Sequence, residues 1–255
     1  MFRPVSALVF VTSAAVTVVW CASMPMTGME MPGGWTMSMA WMRMPGQTWP
    51  GAAATFIGMW AVMMIAMMLP SLVPMLSRYR EAVGGRSVTR LGRLTALVAA
   101  GYFVAWTLLG AATYPLGVAL ASVEMQLPAL ARAVPMAIGV LVLAAGALQF
   151  TAWKAHHLAC CRGIGRARTL PADAGTAWRH GLRSGIHCIH CCAGLTAILL
   201  ASGVMDLRAM AVVAAAITAE RLAPAGERVA RVIGAITIVT GLTLIAHEMG
   251  TLPIS

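Results

Sequence analysis

Residues 187–192 read His-Cys-Ile-His-Cys-Cys, placing His187, Cys188, His190, Cys191 and Cys192 within a single short stretch. On a helix, residues three and four apart share a face. Cys188 then faces Cys191 and Cys192 in turn, and His187 reaches His190 and Cys191. A second cluster lies upstream in "WKAHHLACCRG", where His156 with Cys160 and His157 with Cys161 are i, i+4 pairs. Two helix ends that each present a His/Cys pair can close a four-ligand site between them. Thiolate and imidazole favour soft to borderline ions, so Cu(I) is the expected metal and zinc the alternative. Arg162 and Arg183 flank the clusters and favour deprotonated thiols. A disulfide framework would spread its cysteines through the chain instead of gathering five of six into two groups.

Methionine supplies the second soft ligand. Fourteen of the chain's 20 methionines fall between residues 24 and 75. Eight lie in "MPMTGMEMPGGWTMSMAWMRMPG", where Gly and Pro argue against a long helix. In an exposed loop a thioether gains nothing from water, but it suits Cu(I) and cannot form the disulfides that end thiol ligation in an oxidising compartment. The rest sit in "MWAVMMIAMMLPSLVPM". There Met59, Met63 and Met67 repeat at i, i+4, as do Met64 and Met68, giving two adjacent rows down one helix. Pro70 and Pro74 should free carbonyls and kink that helix. The rows suit either packing between membrane helices or a path for a soft ion.

The elements that must position these groups are membrane spans. Charged residues make up only 10% of the chain, and mean hydropathy is +0.81, whereas a soluble domain carries about a quarter charged residues. Apolar segments run at about 5–23, 52–77, 94–120, 134–153, 186–204, 207–222 and 229–247, and nothing alternates as barrel strands would. The expected fold class is therefore all-α, a polytopic membrane helical bundle of six to seven transmembrane helices. Residues 1–255 form a single domain, with a Met-rich outer loop at 24–50 and a basic cytoplasmic loop at 154–185. A cytoplasmic N-terminus puts 15 of the 18 basic residues inside and Arg43, Arg132 and Arg208 outside, the asymmetry that sets orientation. That predicts a multi-pass protein of a bacterial inner membrane with its C-terminus outside. The net charge of +10 thus reports topology and not nucleic-acid binding. The first segment reads as a span in preference to a cleaved leader, since "VVWCASM" lacks a convincing cleavage site. Glu220 is expected to pair with Arg221 or a neighbouring arginine, and His180 has no ligand neighbour in sequence.

The stretch from Met59 to Met75 resembles the signature of a bacterial family of predicted metal-binding integral membrane proteins of unknown function. The resemblance extends to "GIHCIHCCAGL", where the family's C-x-x-C-C falls on Cys188, Cys191 and Cys192. It also extends to "QFTAWKAHHLACCR", where Gln149, Thr151, Lys154, Cys161 and Arg162 fit, and to "ERLAPAG" from Glu220. Two positions depart: the usual proline is Ala152, and the first cysteine of the family's C-x-x-x-C is His157. The exchange keeps a ligand there but weakens a dithiol reading. The resemblance implies metal binding and no reaction.

Together these features predict a membrane protein that handles Cu(I). Methionines outside would collect the ion, Met59, Met63, Met64, Met67 and Met68 would line its path, and the cytoplasmic Cys/His cluster would hold it or hand it on. The expected partners are the lipid bilayer, the metal ion and a soluble metal-carrying protein. Two other classes fit the same residues. One is a membrane-bound redox enzyme or subunit cycling a dithiol or metal centre. The other is a structural zinc clamp between the two helix ends.

Overall fold

The computed structural model describes residues 2–23, 28–84, 87–162 and 171–251. These form helices α1 (Phe2–Ser23), α2 (Trp49–Val83), α3 (Val88–Gln126), α4 (Pro128–Leu148), α5 (Ala152–Arg162), α6 (Ala174–Ser202), α7 (Leu207–Leu222) and α8 (Gly226–Thr251). The fold is an all-α bundle, and six helices (α1, α2, α3, α4, α6 and α8) are long and apolar enough to cross a membrane. Of the seven expected segments, 207–222 is the exception, because α7 has only 16 residues. At 1.5 Å per residue it still spans about 24 Å. It starts after Met205, which touches Cys21 of α1, and ends at Arg221, which touches Cys188 of α6.

The outward faces of α1 and α8 are apolar and uncovered, with Leu8, Val19, Val232 and Ile236 each about 60% exposed or more. A soluble protein rarely leaves such faces open; lipid covers them without cost. The core is built around α2, whose buried face carries Met59, Met63, Met64, Met67, Met68 and Met75 together with Trp60, Leu72 and Tyr79. Pro70 and Pro74 lie inside this helix, which continues through both to Val83.

Residues 28–46 hold no long helix, in keeping with their Gly and Pro content. They contain instead a short antiparallel hairpin, β1 (Met29–Met31) with β2 (Trp35–Met37). Gly33 and Gly34 take positive φ at its turn, a conformation other residues adopt with strain. The Trp35 indole donates to Ala131 O at 2.8 Å and ties the hairpin to α4.

Two helix boundaries fall elsewhere than hydropathy predicts, and both matter for chemistry. The expected span 134–153 breaks at residues 149–151, so 152–162 forms the separate helix α5. The expected span from 186 starts twelve residues earlier, at Ala174, where the Asp173 carboxylate accepts from Thr176 N at 2.8 Å and caps α6. The basic stretch 154–185 is thus helical at both ends. Residues 163–170 of it lie outside the described residues.

The polar first half of α6 is held by close packing on α3. A side chain at Gly181 would collide with Val98 O, and one at Gly185 would stand 2.8 Å from Tyr102 O. Small residues four apart let two helix backbones approach in this way. The arginine-bearing segments also meet at one end of the bundle. Arg78 donates to Arg162 O, Arg90 to Ala172 O, and Arg162 to both Glu220 O and Pro224 O.

Candidate metal centre

Because α6 begins early, Cys188, Cys191 and Cys192 lie in mid-helix, buried between α3, α5 and α7, and not where a span starts. The Cys188 and Cys192 sulfurs are 3.8 Å apart. That is about the separation of two thiolates on one tetrahedral ion with bonds of about 2.3 Å. Cys161 of α5 lies beside the Cys191 thiol, and Cys191 in turn neighbours Cys192. The two cysteine-bearing stretches, far apart in sequence, do meet, and they form a row of four thiols: 161, 191, 192, 188. All are free cysteines. The neighbouring Cys191, followed by burial, pushes the Cys161 thiol up.

The imidazoles gather beside this row rather than within it. His157 Nδ1 lies 3.5 Å from His187 Nδ1, and the His157 ring stacks on His190 with centroids 5.0 Å apart. His156 packs edge-on against His157, and its Nε2 lies 3.7 Å from Cys160 Sγ. Of the expected mixed pairs, His156 with Cys160 forms. His157 turns to His187 and His190, and no mixed four-ligand set closes. The reason is helix geometry: α5 and α6 turn their cysteine faces inward, so the histidines on the adjacent faces meet at the half-exposed rim. Burial and the neighbouring imidazoles, His190 first, hold the His157 pKa below the ordinary histidine value, which keeps a ring lone pair free. His190 Nδ1 donates to Ile186 O at 2.8 Å. That bond fixes the tautomer and presents Nε2 as an acceptor, the usual preparation of a ligating histidine.

Among the described residues, no group of three or more His, Cys, Asp or Glu side chains is arranged to hold a metal ion as it stands. The thiols run as a row, with Cys188 and Cys192 in hydrogen-bond contact, and do not converge on one point. The donor chemistry nonetheless fits a soft ion, since thiolate is the soft ligand that selects Cu(I).

Two buried polar groupings set the charge of this row. Lys154 donates to the Glu220 carboxylate at 2.6 Å and to Cys191 O at 2.7 Å, and Gln149 donates to the other Glu220 oxygen at 2.9 Å. Glu220 therefore pairs with Lys154 and not with Arg221; packing of α5 on α7 overrides sequence adjacency. Burial lowers the Lys154 pKa, but Cys191 and Glu220 more than reverse it, so the amine stays charged. Arg221 Nη1 donates to Ser71 Oγ at 2.8 Å, Cys188 Sγ at 3.2 Å and Tyr102 OH at 3.3 Å, and Tyr102 OH donates to Cys188 Sγ at 2.9 Å. A buried guanidinium needs a counter-charge. Of these three acceptors only the cysteine sulfur ionises readily near neutral pH, so Cys188 is the natural anion of the pair.

Sequence reasoning passed over two contributors. His180 lines a cavity of about 340 Å³ with Met75, Cys160, Cys161, His187 and Arg221, and its Nε2 has no hydrogen-bond partner. It sits seven residues before His187, two helical turns along the same face, and that spacing was the available signal. Tyr102, from another helix, left no such trace. The expected column Met59, Met63, Met64, Met67 and Met68 is buried throughout, and Met75 extends it to this cavity.

The PpoB2 family, described as copper chaperone, matches residues 57–244, which include every thiol and imidazole of this centre and the whole α2 methionine column. No curated protein and no solved structure matches the chain.

Proposed function

This chain belongs to the copper chaperone family, and we propose that it binds Cu(I) at the buried thiol row and receives the ion along the methionine column of α2. The observation that carries this reading is the continuity of soft donors. Met59 lines a cavity at one end of α2, Met75 lines the thiol-side cavity, and the buried methionines between them cover about 24 Å. Thioethers are neutral and exchange readily, whereas thiolates hold Cu(I) more tightly, so transfer toward the cysteines runs downhill. The arginine-rich end is the cytoplasmic one in this reading, with the N-terminus inside, the C-terminus outside and the helices in a bacterial inner membrane. The rim histidines, exposed or half-exposed, suit release to a soluble metal-carrying protein.

Anaerobic Cu(I) titration of the detergent-purified protein against a competing chelator tests the reading. The wild type should retain copper, and Cys188→Ser with Cys191→Ser should lose the tightly held ion. Zinc recovered from the native membrane in place of copper would make the row a structural clamp. Thiol redox cycling without stoichiometric metal would make it a dithiol centre. Either result rejects copper relay.

A further inference from the structure

Among the described methionines before α2, five fall into two groups that the sequence does not distinguish. Met31 and Met37 are buried against Ala121 and Ala131 and form the hairpin's own small core. Met39, Met42 and Met44 instead join Met59 of α2 and Met205 of the α6–α7 turn around a cavity of about 220 Å³. Behind Met205 stands Cys21 of α1, its sulfur 4.0 Å from the thioether. Six sulfurs are thus drawn together from four separate segments of chain.

The remaining polar groups of the cavity are neutral, and the Gln47 amide is occupied: Nε2 donates to Thr55 Oγ1 and Oε1 accepts from Met44 N. Among the described residues, no acidic or basic side chain lines the cavity. A hard cation would find no carboxylate there, and the donors left over are sulfur lone pairs. Methionines that merely pack fill a gap. These surround one, and lining atoms around a void forgo dispersion contacts that an occupant would restore. Met59 belongs both to this cavity and to the α2 column.

We propose that the cavity formed by Met39, Met42, Met44, Met59 and Met205 is a second, thioether site for Cu(I), distinct from the thiol centre, where the ion is loaded before it passes down α2. The inference rests on the copper reading above. It adds Met205 and Cys21, which lie outside both the methionine-rich loop and the column, as the elements that close the site.

The test uses the full chain in detergent. In the Cys188→Ser, Cys191→Ser background, a Cu(I) ion should remain bound, with X-ray absorption showing sulfur-only coordination. Adding Met42→Leu and Met205→Leu should release it. Methionine and leucine are close in volume, so folding should survive. A second measurement needs no variant: Ag(I), a redox-inert substitute for Cu(I), should shield Met42, Met44 and Met205 of the wild type from peroxide oxidation read by mass spectrometry. Copper retention indifferent to Met42→Leu and Met205→Leu, or equal oxidation with and without Ag(I), overturns the inference. Copper held at these thioethers but absent from wild-type thiols would refute the relay and leave this site standing.

Discussion

The thiol row between α5 and α6 and the methionine cavity beside the first turns of α2 both present sulfur, yet their surroundings are opposite. The row is flanked by a buried guanidinium from α7 and a buried Lys–Glu pair that joins α5 to α7. The cavity has neutral walls and donors whose ligation requires no proton loss. The difference follows from the ligand: a thiolate in a low-dielectric interior must be given a counter-charge, and a thioether needs none. In the proposed relay, the thiol end would retain the ion and depend on its charges, while the methionine end would pass it on and be indifferent to them.

The largest effect that would sharpen this contrast is expected at Glu220. Glu220→Ala leaves the Lys154 ammonium buried and unpaired, which should cost about 3–5 kcal/mol of stability, measured by thermal unfolding in detergent. Replacing both partners, Lys154→Met with Glu220→Leu, should restore most of it. If Glu220→Ala is silent, the pair does not hold α5 to α7. Next comes Arg221→Met. Without the guanidinium, Cys188 loses a hydrogen-bond donor and its nearest buried cation, and Cu(I) affinity at the thiols should fall by about 10–100-fold, as for other groups that orient a ligand. Binding at the methionine cavity should not change, and an equal loss at both ends would erase the distinction. Smallest is Met63→Leu with Met64→Leu. The swap should cost less than about 1.5 kcal/mol and leave the equilibrium copper content of the thiols intact, while slowing transfer of Cu(I) from the outer face to them in reconstituted vesicles. An unchanged transfer rate would reduce the column to packing.

Much of this was legible from spacing. The helical periodicity of Met59, Met63 and Met67, and of Cys188, Cys191 and Cys192, correctly predicted one buried face each. The grouping of arginines correctly predicted segments that meet at one end. Hydropathy misplaced the start of α6, because Gly181 and Gly185 make a polar stretch helical through packing that a hydropathy average does not register. It also ran the fourth span on through residues 149–151, where the chain turns into α5. Gln149, Lys154, Cys161, Arg162 and Glu220 stood in the sequence as separate matches to a family pattern. In the fold, Lys154 and Gln149 bind the Glu220 carboxylate, Arg162 binds its carbonyl, and Cys161 reaches Cys191.

The sequence by itself determined the helices, their apolar faces, and the soft-ligand character of the side chains on those faces, because each depends only on residues a few positions apart. Tertiary structure alone decided which sulfurs share a space, that the imidazoles stand apart from the thiols, that Glu220 answers to Lys154, and that Met205, with Cys21 behind it, joins the methionine cavity. Those outcomes depend on how closely whole helices approach and rotate against one another, and local spacing along a single chain does not encode that.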